Sequence, residues 1–303
     1  MIYLDANATT PLDPEVLNAM MPCLSEFHGN PSSGHAAGRK TRAAIDNARD
    51  EIAALLKCKP SEIVFTSGGT ESNNIAILGL ARTLPGKHIV TCATEHHAVL
   101  HPLEYLEQHE DYTITRLPVS ADGTLDPATL EAALTPNTAF VSLMTANNET
   151  GVQHPFQTIS KICKSRGILF HSDAIQSFGK EHVTTEHFDL LSLAAHKFYG
   201  PKGSGILFIR GGLPLRSIQF GGSQEGQRRA GTENPAAIVG LAKAASLAVS
   251  RLQEDSNHTA KLRNLFETNL LQALPELHIN GASAPRIPCL LYTSPSPRDQ
   301  RGS

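Results

Sequence analysis

The sequence has few cysteines, and none of them are close together in the chain. The five cysteines stand at positions 23, 58, 92, 163 and 289, so no two form a Cys-x-x-Cys pair. An odd number of widely separated cysteines argues against a disulfide framework and against a zinc or iron–sulfur site built from cysteine alone. We therefore predict free thiols in a reducing cytoplasm and no bound metal.

The sequence also lacks an excess of charge of either sign. Lysine and arginine number 26 against 29 aspartates and glutamates, which gives a net charge of −3. Nucleic-acid-binding proteins carry a basic face, so this balance argues against a nucleic-acid partner. No uncharged apolar run approaches membrane-spanning length, and residues 1–10 lack the basic and apolar regions of a secretory signal. We expect no membrane partner and a cytoplasmic location.

The hydrophobic content, 40% of the chain, suffices for a sizeable core and excludes wholesale disorder. Short β-branched or apolar segments alternate with segments of helical periodicity. Strands are predicted at Ile63–Thr66, His88–Cys92, Tyr112–Leu117, Ala139–Thr145, Ile168–His171 and Leu190–Ala194. This alternation predicts an α/β fold with a mostly parallel, doubly wound sheet. In such a sheet, ligands bind beyond the carboxyl ends of the strands.

The pattern changes towards the C-terminus. Gly205–Arg210 follows a short turn, which predicts an antiparallel or edge strand, and two helices are predicted over 235–253 and 256–273. A strand-like fragment follows at Leu277–Asn280. We predict four parts: an N-terminal segment, 1–15; a large domain, 16–250; the start of a smaller, incomplete domain, 251–288; and a tail, 289–303, of foreign residues or of an ordinary disordered terminus.

Three polar motifs each follow a predicted strand. The glycine turn TSGGTESNN, residues 66–74, opens a helix and could hold a phosphate at its N-terminus, although a helix capped by Thr70 is the alternative. Asp173 could pair with a cationic ring nitrogen or cap another helix. Lys197 could form a Schiff base or lie on the surface. Together, in this order, the three motifs indicate a pyridoxal phosphate (PLP) site.

With these motifs in place, the chain resembles the cysteine desulfurases of the NifS/IscS type, which are fold-type-I PLP enzymes. The resemblance covers residues 3–288 through eight co-linear stretches. They are YLDANATTPLDPEV, GNPSSGHAAG, EIVFTSGGTESNN, TEHHAVL, NNETG, HSDAIQS, HKFYGPKG and RRAGTEN. The resemblance implies a PLP-transferase fold and conversion of L-cysteine to L-alanine. The sulfur would pass as a persulfide to an acceptor or iron–sulfur scaffold protein.

The resemblance also implies roles for four residues around the cofactor ring. Lys197 would carry PLP covalently and move protons during the reaction. His96 would stack on the ring and act as an acid or base. Asp173 would pair with the ring nitrogen, and Gln176 would hydrogen-bond the phenolic oxygen.

A second group of residues would bind the cofactor phosphate or the substrate. The phosphate would be held by Thr70, by the Gly69 backbone and by His196. Asn148 would contact the cofactor or the substrate carboxylate. Thr232 would reach the phosphate across a subunit interface, which implies a homodimer.

Some features depart from the family. Ala194 stands where many relatives have a phosphate-binding serine, and no mobile-loop cysteine or substrate-binding arginine is present after Thr232. We therefore assign no catalytic role to Cys289 and expect the chain as given to bind PLP without turning over. A selenocysteine lyase, or another class-V PLP lyase, is the alternative activity. His97 and His101, one helical turn apart, could share a metal, but no third ligand is evident.

Overall fold

A seven-stranded sheet forms the centre of the molecule, which we describe from a computed structural model for residues 2–294. Its strands are β1 (Ile63–Thr66), β2 (His88–Cys92), β3 (Thr113–Leu117), β4 (Thr138–Ser142), β5 (Leu169–Asp173), β6 (Leu190–Ala194) and β7 (Gly205–Ile209). Their spatial order is β1-β7-β6-β5-β4-β2-β3. Strands β2 to β6 pair in parallel, and β7 runs antiparallel to both its neighbours. The predicted mostly parallel α/β sheet is confirmed.

The position of β7 differs in part from the prediction. Its antiparallel direction is as expected, because the connection from β6 to β7, residues 195–204, is too short for a crossover to a parallel strand. The alternative prediction, an edge position, does not apply, since β1 pairs with the other side of β7 through Thr66 and Gly205. That pairing joins segments about 140 residues apart in sequence, which local periodicity does not reveal.

Helices cover both faces of the sheet. They are α1 (Pro14–Ser25), α2 (Ala36–Leu56), α3 (Gly69–Ala81), α4 (His97–His109), α5 (Pro127–Ala133), α6 (Phe156–Ser165) and α7 (Pro235–Ala273). Alternate residues of each strand enter opposite cores, as β1 shows: Ile63 and Phe65 pack in one core and Val64 in the other. Asp13 caps α1 by accepting a hydrogen bond from the backbone of Glu15, and Pro14 occupies the first helical position.

The two helices predicted after Pro235 are one continuous helix, α7, of 39 residues. The segment between them contains neither proline nor glycine, so nothing in it interrupts the helix. The predicted domain boundary at residue 250 falls inside α7. The first half of α7 packs on α1 and α2, whereas Leu262, Leu265 and Phe266 in its second half are exposed.

By length and composition α7 could cross a membrane. Half of its apolar window is buried inside the molecule, as in a core helix.

The last described segment packs beside the loop after β4. This segment lies between the two strands of a short antiparallel pair, β8 (His278–Ile279) and β9 (Thr293–Ser294). Leu290 and Ile287 are buried against Ala146. Of the predicted non-native tail, residues 289–294 are therefore part of the described structure. Residues 295–303 lie outside the described residues, and the origin of the tail stays a prediction.

Candidate active site

Five strands end at one edge of the sheet, and the loops that follow them line a cavity of about 450 Å³. This edge is formed by the carboxyl ends of β1, β2, β4, β5 and β6, as expected for a doubly wound sheet. Eight of the nine residues singled out in the sequence line the cavity: Gly69, Thr70, His96, Asn148, Asp173, Gln176, His196 and Lys197. The structure thus brings together residues up to 128 positions apart, though their individual roles stay predictions.

Lys197 lies in a short 3₁₀ turn directly after β6. Its ammonium donates a hydrogen bond to the backbone oxygen of Asn7, at 2.7 Å. Burial lowers the pKa of Lys197, and the nearby Asp173 carboxylate opposes this shift. A lysine whose pKa is lowered presents more of its neutral, nucleophilic amine at a given pH.

Asp173 is the last residue of β5 and is buried. Its carboxylate accepts hydrogen bonds from Asn73 Nδ2 at 2.7 Å and from the backbone N–H of Ile175 at 3.0 Å. Burial raises the pKa of Asp173, while these two bonds and the charges of His96 and Lys197 lower it. Within residues 2–294, no lysine or arginine forms an ion pair with this carboxylate. A cationic ring nitrogen would supply the missing counter-charge.

The turn between β1 and α3 brings the backbone close to the cavity. The helix begins at Gly69 with Gly68, at φ 150°, as its N-cap, so the alternative in which Thr70 caps the helix is wrong. A Cβ added to Gly69 would lie 1.9 Å from Ile175 Cδ1. The first-turn N–H groups of a helix have no intrahelical partner, and the helix dipole favours an anion beside them. This geometry suits a phosphate.

The side chains of His96 and His196 are oriented by neighbouring groups. His96 is the N-cap of α4, and its Nδ1 accepts a hydrogen bond from the backbone of Ala98 at 3.0 Å. His196 Nδ1 lies 3.3 Å from Thr9 Oγ1. Burial lowers the pKa of His196, and the charge of Lys197 lowers it further.

Asn7 is the main site residue that the sequence reasoning did not assign. Its backbone oxygen accepts from Lys197, its Oδ1 accepts from Gln176 at 2.7 Å, and its Nδ2 donates to the backbone oxygen of Asn148 at 3.0 Å. The only sequence signal was its place in the motif YLDANATTPLDPEV. Asn73, which holds Asp173, was also missed; its signal was a position one helical turn after Gly69.

Thr232 does not join the cavity within one chain. It lies exposed in the loop between a 3₁₀ turn (Gln224–Gln227) and α7. Buried carboxylates hold this loop to the body of the molecule: Glu225 forms a 2.7 Å ion pair with Arg49, and Glu233 a 2.6 Å ion pair with Arg42. Thr232 is therefore presented on a fixed, outward-facing loop.

A second cavity, of about 370 Å³, adjoins the first and shares Asn7 and Lys197 with it. Lys180 and Cys289 also line it, and Cys289 is exposed. The structure thus places Cys289, to which the sequence assigned no role, in the cavity next to Lys197.

The rings of His97 and His101 lie 4.8 Å apart on α4. Residues 2–294 contain no group of three or more His, Cys, Asp or Glu side chains arranged to hold a metal ion.

Comparison with known proteins identifies the family. The model of the family described as Aminotransferase class-V matches residues 2–291. The chain belongs to the class-V aminotransferases. It is 48% identical to the cysteine desulfurase IscS of Dictyoglomus turgidum over 291 residues, which cover 95% of this chain and 74% of that one. It is 46% identical to a cysteine desulfurase of Trichormus azollae, covering 95% and 72% of the two chains.

Solved structures of class-V relatives share the fold. A NifS-like protein superposes with a TM-score of 0.93 at 37% identity, covering 96% of this chain and 81% of that one. The protein SspA, solved in complex with cysteine, gives a TM-score of 0.79 at 39% identity, over 81% and 72% of the two chains. The expected family and fold are confirmed.

The cofactor of this family is PLP, as the sequence predicted. The residues of this chain fit it: a buried acid bonded to neutral donors, a lysine with a lowered pKa and a glycine turn at a helix N-terminus line one cavity. When bound, PLP supplies an electron sink for charge that develops on the substrate α-carbon.

Proposed function

We propose that this protein is a cysteine desulfurase that converts L-cysteine to L-alanine and passes the sulfur on for iron–sulfur cluster or thio-cofactor synthesis. The observation that carries the proposal is the joint placement of Lys197 and Asp173 in one cavity, at the ends of the adjacent strands β6 and β5. The names of the relatives and the cysteine complex of SspA support cysteine as the substrate.

Each residue of the site has a proposed task. The Lys197 amine, whose pKa burial lowers, binds the cofactor and carries the proton removed from the substrate α-carbon. Asp173 keeps a proton on the cofactor ring nitrogen by offering a carboxylate in a buried place. His96 holds its ring on the bond from Ala98 and is placed to accept or donate a proton at the substrate.

We also propose that the active unit is a homodimer located in the cytoplasm. Thr232 is displayed outwards on a loop held by two ion pairs, which suits contact with a partner's phosphate site. Ile2, Leu4 and Phe220 are exposed by 85–90% and provide apolar surface for an interface. The sulfur acceptor is a further protein partner.

The test is reconstitution of the chain with PLP followed by borohydride reduction. Reduction should fix the cofactor on Lys197, which mass spectrometry of the peptides locates. Lys197→Ala should abolish the fixed adduct, because it removes the only lysine among the described residues that lines the 450 Å³ cavity.

Lys202→Ala serves as the matched control, since this exposed lysine lies five residues further along the chain. Its adduct should match that of the unaltered chain. A reducible adduct that persists at another lysine in Lys197→Ala would refute the assignment. The expectation that the 303-residue chain does not turn over stays a prediction.

A further inference from the structure

Lys180 is a cation beside the candidate site that the proposed reaction does not use. It lies in the loop after β5, is partly buried and lines the second cavity together with Lys197. Burial lowers the pKa of Lys180 and the charge of Lys197 lowers it further, whereas the nearby Cys289 and Glu181 oppose this shift. Its ammonium donates a hydrogen bond to Oε1 of Gln176.

The Gln176 side chain is held from both ends. An ammonium group can only donate, so the atom facing Lys180 must be the amide oxygen. The amide nitrogen then faces the other way and donates to Asn7 Oδ1 at 2.7 Å and to the backbone oxygen of Asn148 at 3.2 Å. Both acceptors belong to the wall of the 450 Å³ cavity. The contacts therefore determine the orientation of the amide.

The position of Lys180 is itself set by two elements. Its backbone N–H donates to Ser177 O at 3.0 Å, and its backbone oxygen accepts from Ser256 Oγ of α7 at 2.9 Å. A charged donor makes a stronger hydrogen bond than a neutral one, and it polarises the amide so that the N–H groups at the far end become better donors.

We propose that Lys180 is a positioning residue that acts through Gln176. It keeps the amide nitrogen turned towards the site, where the longer of its two bonds, the 3.2 Å bond to the Asn148 backbone oxygen, would be exchanged for one to the phenolic oxygen of the cofactor. This inference rests on the proposed function, because it assumes that PLP binds in this cavity.

The experiment is a double-mutant cycle on cofactor affinity. The apo form of the full chain is titrated with PLP, and Kd is read from the change in PLP absorbance on binding, because the chain contains no tryptophan whose fluorescence could be followed. Lys180→Met should bind PLP about tenfold more weakly, the cost typical of losing a charge-assisted hydrogen bond. Gln176→Ala should lose at least as much, and the double variant should bind no more weakly than Gln176→Ala alone.

Two further variants separate this role from a general structural one. Lys180→Arg keeps the charged donor and should restore most of the affinity. Lys164→Met is the matched control, because the ammonium of Lys164 on α6 likewise donates a hydrogen bond, in this case to the backbone oxygen of Glu186 at 3.1 Å, but lies away from the site. Its Kd should equal that of the unaltered chain. Circular dichroism melting checks that each variant folds, and Lys180→Gln replaces Lys180→Met in the cycle if the latter does not.

Unaltered affinity in the Lys180 variant, or losses that add in the double variant, would overturn the inference. An unaltered chain that bound no PLP would instead overturn the proposed function, so the two failures are distinguishable.

Discussion

Asp173 is a buried carboxylic acid whose hydrogen-bond donors among residues 2–294 are neutral. Asn73 and the backbone of Ile175 each donate a hydrogen bond to one carboxylate oxygen, and these bonds oppose the rise in pKa that burial causes. An isolated buried charge is costly, and a cation beside it recovers part of that cost. We therefore expect this carboxylate to favour a protonated ring nitrogen beside it.

Asp173→Asn should leave some PLP bound but slow proton removal from a bound amino acid. The asparagine is nearly the same size but cannot hold the proton on the ring nitrogen. Exchange of the α-proton of alanine with solvent deuterium, followed by NMR, should slow by about 100-fold, the lower end of what a positioned proton-holding group contributes. Asp189→Asn, a change of the same kind at the far end of the same strands, is the control. Unchanged exchange in Asp173→Asn would remove Asp173 from this role.

At the scale of elements, the turn from β1 into α3 depends on close approach of the backbone. Gly69 faces Ile175 in the loop after β5, with room for no side chain between them. Gly205 of β7 also lies close to this turn, since a Cβ added to it would lie 2.6 Å from Gly68 Cα. The turn between β1 and α3 is thus packed against the loop after β5 at the place where the phosphate is expected.

Gly69→Ala should destabilise the protein by about 1–3 kcal/mol, the usual cost of overpacking. Ile175→Val removes the Cδ1 atom that the new Cβ would meet at 1.9 Å. We expect Ile175→Val to be mildly destabilising alone yet to raise the stability of Gly69→Ala. Urea unfolding of the four proteins measures this coupling.

Gly34→Ala is the matched control, because a Cβ there meets nothing within 4 Å. It should be close to neutral. Strictly additive losses for Gly69 and Ile175 would show that the two loops are not in contact.

At the scale of the whole molecule, buried histidines link stability to pH. His154 is 2% exposed and neither of its ring nitrogens has a hydrogen-bond partner among the described residues. Burial lowers its pKa to about 4. Burial also lowers the pKa of His171 to about 3, and its ring nitrogens contact Ser142 and Ser192 between the strands. The lowered pKa values favour the neutral form of both rings in the folded protein near neutral pH.

Acidification should therefore weaken the fold. Between pH 6.5 and 4 the unfolded chain binds a proton at His154 that the folded chain does not, so stability falls as the pH falls. The lowering of the His154 pKa from 6.5 to about 4 corresponds to a loss of at most about 3 kcal/mol in the free energy of unfolding. His154→Gln should give a shallower loss of the free energy of unfolding between about pH 7 and 4.5, measured with urea at each pH.

His97→Gln, at an exposed histidine, should keep the slope of the unaltered protein. Burial raises the pKa of Glu181 to about 7, so this group adds stability to the fold as the pH falls. It does so equally in the unaltered protein and in both variants, and therefore does not change the differences between their curves. Parallel curves for His154→Gln and the unaltered protein would contradict the linkage.

The sequence by itself determined the strands and the chemistry at their ends. Local periodicity marks each strand, and parallel strands end at the same edge, so the motifs alone predict that Asp173 and Lys197 meet around a cofactor. The tertiary structure alone decided the contacts between distant segments. Asn7 meets Lys197 across 190 positions, and β7 lies inside the sheet because β1 closes on it. The hydrogen bond from Lys180 that orients the Gln176 amide also depends on side-chain packing. Such contacts follow from how whole elements pack, which neither propensity nor spacing along the chain encodes.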